Sequence, residues 1–310
     1  MTSVPRMSPC LLRLVSLLVM LTTVTSECDP DATQCEFWLE VTEKVTMVDL
    51  SHSTVAACPG DGQLHDCNNM TNILDPKDVI SMDGWIEQQR HVVVVNGTVP
   101  GPTLEVYVNQ TVIVHVKNNM LALPVTIHWH GLRQWRTPFM DGKSFLTQCP
   151  IAPHDSFTYI FNATEKGTYW YHSHIGNLRV MGLNGALIVK KKDETMQEHV
   201  LMIQEWNHNY DGDVLFVRDT WGAFNNGTAQ SKGPPAVNGA EYEHYPFNSA
   251  LINGRGRYYY EDGTNNGAYL STFEVVSGSK YRFRIISSAA NFPFRVSVDG
   301  HQLELVASDG

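Results

Sequence analysis

The chain has 310 residues, a formal net charge of −10, 17% charged residues and 43% from the hydrophobic set. That balance is the ordinary one of a globular protein, so disorder is not the default. The acidic surplus argues against nucleic acid as a partner, because neutralising phosphates takes clustered lysine and arginine. The length suits about two domains.

Residues 1–26 carry the pattern of a secretory signal. Arg6 and Arg13 supply positive charge, Leu14 to Val24 is a short apolar run, and Val24 and Ser26 suit cleavage after Ser26. The run is too short to span a bilayer, which takes about 20 apolar residues. No later stretch is long and apolar enough to span one, so any membrane anchor would have to lie beyond Gly310. Cleavage would remove Cys10 and leave Cys28, Cys35, Cys58, Cys67 and Cys149, an odd number, so one is free or its partner lies elsewhere. Asn69, Asn96, Asn109, Asn162 and Asn226 each begin an Asn-x-Ser/Thr sequon, which fits a secreted, disulfide-bonded glycoprotein.

Residues 27–84 are expected to form a cysteine-bearing extension, irregular over 27–80. Strand signals begin near Trp85. His91 to Val95 is β-branched and breaks at Asn96-Gly97, and Pro100-Gly-Pro102 marks a turn. Leu104 to Val108, Val112 to Val116, Val125 to His130, Phe157 to Phe161, Thr168 to His172 and Gly185 to Val189 continue the series. Short strands at this spacing predict a β-sandwich or barrel over 85–192. The charged stretch Lys190 to Glu194 marks a boundary, and 193–310 is expected to hold a second domain. Its strands are expected at Val200–Ile203, Leu251–Gly254, Thr272–Val276, Tyr281–Ile286, Phe294–Val298 and Leu303–Ala307, with long loops over 207–250. The chain ends directly after the last of these, which reads as an incomplete domain.

Most of the thirteen histidines stand singly, and a lone histidine is more often a surface or hydrogen-bonded residue than a ligand. Two His-x-His pairs differ: His128-Trp-His130 and His172-Ser-His174. In a strand, residues i and i+2 face the same side, about 6.6–6.8 Å apart. Two such pairs on facing strands present four imidazoles to one cavity, a donor set suited to copper, zinc, nickel or iron. Trp129, between the first pair, points to the opposite face and packs. Trp170 and Tyr171 also read as packing residues.

The words around the pairs carry a resemblance. His128-Trp-His-Gly131, Met140-Asp-Gly142, Thr147-Gln-Cys-Pro-Ile151, Gly167-Thr-Tyr-Trp-Tyr-His-Ser-His174 and Gly182-Leu-Asn-Gly185 resemble the multicopper oxidases, the family of laccases, ascorbate oxidases and yeast-type ferroxidases. Asn96-Gly97, Leu251-Ile-Asn-Gly254 and Ser297-Val-Asp-Gly300 extend the likeness from about Asn96 to Gly310.

The resemblance implies an all-β fold of tandem cupredoxin-like Greek-key β-sandwiches, the second truncated here and the third domain absent. It implies copper as cofactor, with type 2 and type 3 sites partly present and the type 1 site absent, since no cysteine follows Cys149. His128 would bind the type 2 copper, His130 and His172 one type 3 copper, and His174 the other. Asp141 would deliver protons near the cluster; its plain alternative is an Asp-Gly turn residue. Cys149 would join a disulfide with a distant cysteine, in the N-terminal extension or beyond the end. Partners would be dioxygen and a phenolic, amine or metal-ion reductant.

One departure stands out. In Gly176-Asn-Leu-Arg-Val-Met-Gly182, Leu178 and Met181 occupy positions where many relatives carry Gln and Asp. The leading reading is therefore the N-terminal part of a secreted, laccase-type oxidoreductase, inactive by itself. The alternative, from another class, is a non-catalytic secreted binding protein that keeps the fold; four intact histidines and Asp141 count against it.

Overall fold

The computed structural model describes residues 27–51, 55–85, 89–208, 212, 247–290 and 292–309. The signal-like segment 1–26 and most of the loop region expected over 207–250 lie outside the described residues. Among the described residues the regular elements are strands and one 3-10 turn, Pro138–Met140. No helix among them is long and apolar enough to cross a membrane.

Two four-stranded sheets face each other. One is ordered β5 (His91–Val95), β1 (Gln34–Val45), β7 (Thr111–Asn118) and β9 (Ser156–Asn162). The other is ordered β6 (Gly101–Tyr107), β11 (Asn184–Lys190), β10 (Gly167–Ser173) and β8 (Ile127–His130). The β1–β7 and β6–β11 ladders are parallel and the others antiparallel. Non-sequential neighbours of this kind are the Greek-key wiring of a sandwich. The period of two along each strand sends one set of side chains between the sheets. Phe37, Val114, Trp129, Tyr159, Tyr171 and Leu187 meet there, each almost wholly buried. Burial of side chains this size stabilises the fold by roughly 1.5–3 kcal/mol apiece.

The irregular extension expected over 27–80 is corrected. Gln34–Val45 is the longest strand and lies in the middle of the first sheet. The reason is a strict alternation: Cys35, Phe37, Leu39 and Val41 turn inward while Glu36, Trp38 and Glu40 turn outward. A tight turn locks β1 to its neighbour. Asn96 and Gly97 adopt positive φ of 51° and 80°, the geometry of a two-residue hairpin turn. The Asn96 side chain then pairs with the β1 backbone: Glu40 N–H donates to Oδ1 at 2.7 Å, and Nδ2 donates to the Trp38 carbonyl at 2.9 Å. A small antiparallel sheet of β2 (Ala57–Gly60), β3 (Gln63–Asp66) and β4 (Asn69–Ile73) follows β1 in the chain.

Disulfides join Cys28 to Cys35 and Cys58 to Cys67. Cys149 is exposed and pairs with none of the described cysteines, so its expected pairing within the N-terminal extension is also corrected. Those four cysteines satisfy one another over short sequence separations of 7 and 9 residues.

A further sheet, ordered β13 (Ser249–Ile252), β12 (Glu198–Trp206) and β14 (Arg282–Ser287), covers the outer face of β10 and β11. Met202 and Ile286 from this sheet pack on Trp170, Ala186 and Ile188. The strands expected at Thr272–Val276, Phe294–Val298 and Leu303–Ala307 do not form. Their composition favours strands, but a strand is completed only by a neighbour that takes its backbone hydrogen bonds. These segments have no ladder, and Val275, Val276, Leu305 and Val306 stand exposed.

Candidate metal centre

β8 and β10 are antiparallel neighbours in the register His130 with Trp170, Trp129 with Tyr171, and His128 with His172. Alternate residues face opposite sides, so Trp129 and Tyr171 enter the sandwich core while the histidines and Trp170 share the outer face. His174 follows just beyond β10, where its backbone N–H donates to the Thr126 carbonyl at 3.2 Å. The four imidazoles gather. The His128 ring centroid lies 5.6 Å from that of His130, 5.3 Å from His172 and 5.4 Å from His174. His172 Nε2 lies 3.4 Å from His130 Nδ1. One ring nitrogen from each of His128, His130 and His172 falls within a 4.8 Å group.

Two backbone carbonyls fix ring orientation. His128 Nδ1–H donates to the Asp141 carbonyl at 2.8 Å, and His172 Nδ1–H donates to the Ser173 carbonyl at 2.8 Å. Each bond leaves the Nε2 lone pair free to act as a ligand. The Asp141 carboxylate also approaches His128 Nδ1, at 3.3 Å. Gly142 makes this approach possible. Its φ is +78°, and a Cβ there would lie 1.7 Å from the Ile127 carbonyl oxygen, so only glycine brings the turn flush against β8.

The electrostatics favour neutral imidazoles. Burial pushes the His172 pKa down to about 3, and Arg179, His128 and His130 lower it further while the bond to Ser173 opposes the shift. Burial also lowers His130, with the charges of His128 and Arg179 acting the same way. His174 is lowered by burial first. Neutral imidazole is the metal-binding form, so these shifts hold the donors ready. A group of neutral imidazole nitrogens suits copper or zinc; calcium and magnesium prefer oxygen.

Leu178 and Met181 are both buried in the first core, where they offer no hydrogen bond to an imidazole. Arg179 and Trp170 are site residues that sequence reasoning missed. Arg179 places positive charge beside the histidines. Trp170 packs on two of their rings, at centroid distances of 4.9 Å from His130 and 4.3 Å from His172. The signal for Trp170 was present, since it sits two residues before His172 and so shares its face.

A mixed Greek-key β-sandwich of this kind is a cupredoxin-like fold, and its outer-face imidazoles form a group that could hold a metal ion. Multicopper oxidase family models match residues 79–194 and 197–310. The chain belongs to the multicopper oxidase family. It is 36% identical over 248 residues to Laccase-1 of Cryptococcus neoformans var. grubii, covering 76% of this chain and 36% of that protein. It is 35% identical over 235 residues to Laccase-1 of Thanatephorus cucumeris, covering 72% of this chain and 37% of that one. Among solved structures, the laccase from Botrytis aclada aligns with a TM-score of 0.52 at 28% identity, over 83% of this chain and 38% of that one. The blue copper oxidase from Nitrosomonas europaea aligns with a TM-score of 0.50 at 25% identity, over 82% and 61%. The chain thus spans little more than a third of the length of the laccases it matches in sequence.

Proposed function

We propose that the chain supplies half of the histidine ligands of an oxygen-reducing copper cluster in a secreted oxidoreductase of the laccase type. The reaction is four one-electron oxidations of a phenol, amine or metal ion, coupled to the four-electron, four-proton reduction of one dioxygen to two waters. The observation that carries this reading is the gathering of His128, His130 and His172 on one face, their ligand nitrogens within 4.8 Å of one another. In the proposed assignment His128 holds the type 2 copper, His130 and His172 one type 3 copper, and His174 the other.

Copper bound there supplies one-electron redox chemistry toward dioxygen. The protein's own part is to hold and orient. The Asp141 and Ser173 carbonyls fix the rings of His128 and His172, and burial lowers the pKa of His130, His172 and His174. The Asp141 carboxylate, partly open to solvent and 3.3 Å from His128 Nδ1, is placed to take a proton from water and pass it inward. The division into a copper-bearing unit at 85–192 and a second unit from 193 is part of the same proposal, with β1 completing the first sheet. Two disulfides and the leader pattern of 1–26 support passage through an oxidising compartment.

The test is the copper content of the purified protein by atomic emission. Copper should co-purify with the complete oxidoreductase that carries these residues and fall away in its His130→Ala and His172→Ala variants. Copper content indifferent to both substitutions would refute the reading.

A further inference from the structure

We infer that Trp170 is a positioning residue for the imidazoles, and that the second β-sheet sets their orientation by bracing it. This inference rests on the copper reading above.

Trp170 is buried with one neighbourhood on each side. Toward the site, its ring lies on His130 with the planes 30° apart and on His172 with the planes 31° apart. Away from the site it packs with Ala186 and Ile188 of its own sheet and with Met202 and Ile286 of the covering sheet. Near-parallel contact restricts each imidazole to rotation within its own plane, and packing on the far side denies the indole room to retreat. His172 has a second restraint in the Ser173 carbonyl. Among the described residues no such carbonyl bond holds His130, whose ring contacts are with Trp170, His128 and His172.

The covering sheet grips β10 one step further along the same face. Thr168, Trp170 and His172 alternate on it, and Arg284 of β14 donates to Thr168 Oγ1 at 2.9 Å. Arg284 is itself held by Glu198, whose carboxylate accepts from Nε at 2.7 Å and from Nη2 at 2.8 Å. A rigid line therefore runs from the Glu198–Arg284 pair through Thr168 and Trp170 to the imidazoles. Partners that orient metal-ligating histidines typically account for about 10–100-fold in metal affinity.

The test is Cu(II) titration of the protein against a competing chelator, with the Cu(II) electron paramagnetic resonance spectrum recorded alongside. Trp170→Leu keeps apolar bulk and removes the flat surface; it should weaken Cu(II) binding about tenfold and alter the copper hyperfine splitting. Trp170→Phe should restore most of the affinity. Met202→Ala, in the covering sheet behind Trp170, should weaken binding in the same direction. If Trp170→Leu does not fold, the Met202→Ala and Trp170→Phe results decide. A folded Trp170→Leu or Met202→Ala protein with unchanged affinity and an unchanged spectrum would overturn the inference and leave the copper reading standing. Absence of Cu(II) binding that depends on His130 and His172 in the unsubstituted protein would overturn both.

Discussion

His128 Nδ1 lies 2.8 Å from the main-chain carbonyl oxygen of Asp141, while the carboxylate of the same residue stands 3.3 Å from that nitrogen. The two contacts separate two roles. The carbonyl fixes the ring and survives any side-chain change, whereas the carboxylate alone can carry a proton. Asp141→Asn in the complete oxidoreductase should therefore leave copper affinity nearly unchanged and slow oxygen reduction by the copper-loaded enzyme roughly 10²-fold. Gly142→Ala should do the reverse and damage binding first, because its Cβ would strike the Ile127 carbonyl. Chelator competition and oxygen uptake read the two effects separately; a large loss of affinity in Asp141→Asn would show that the division of roles is wrong.

The metal-free protein should lose stability in mild acid. His172 has an ordinary pKa near 6.5 when unfolded, and about 3 when folded, chiefly through burial. Between those values the unfolded chain binds a proton that the folded chain does not, so stability falls as pH falls from about 6.5 to about 3 and levels off below. Thermal unfolding of the metal-free protein across this range should show a smaller drop for His172→Gln than for the unsubstituted protein. Equal drops would place the acid sensitivity elsewhere.

Two tryptophans should respond in opposite ways. Trp129 is fully buried among Tyr159, Phe161 and Tyr171, so Trp129→Ala should cost about 3–5 kcal/mol. Trp38 stands on the outer face of β1 with 53% of its surface exposed, and Trp38→Ala should change stability by about 0.5 kcal/mol or less. Denaturant unfolding measures both. Comparable losses would contradict the inward and outward assignment of β1 and β8.

Asn96→Gly isolates the side-chain pairing with β1. Glycine accepts the positive φ of the turn, so the change removes the two hydrogen bonds without straining the backbone. The expected loss is about 1–2 kcal/mol, and an unchanged unfolding midpoint would show that water replaces the amide at no cost.

Much of the site was legible because its logic is local. The i, i+2 spacing of His128 with His130 and of His172 with His174 places each pair on one face, and the odd tryptophan between the first pair must then face the core. The strand at Gln34–Val45 is equally legible in the alternation of Cys35, Phe37, Leu39 and Val41, a pattern that the neighbouring cysteines overlay with the look of a disulfide-stapled extension. Other features were not local. Thr272–Val276 has the composition of a strand, but strand formation depends on a partner that composition does not reveal. The carbonyl of Asp141 is a backbone atom, and no residue code announces where it points. That Cys149 has no partner in the N-terminal extension follows from how the other four cysteines pair, which is a property of the fold. A maleimide should accordingly label none of those four in the folded, non-reduced protein.

Copper binding by these imidazoles is read from pulsed electron paramagnetic resonance of Cu(II) bound to protein carrying ¹⁵N-labelled histidine. Nitrogen couplings that change with the isotope, and that are lost or redistributed in His130→Ala and His172→Ala, are the expected result. A copper signal without histidine nitrogen coupling, or one that both substitutions leave intact, would contradict the account.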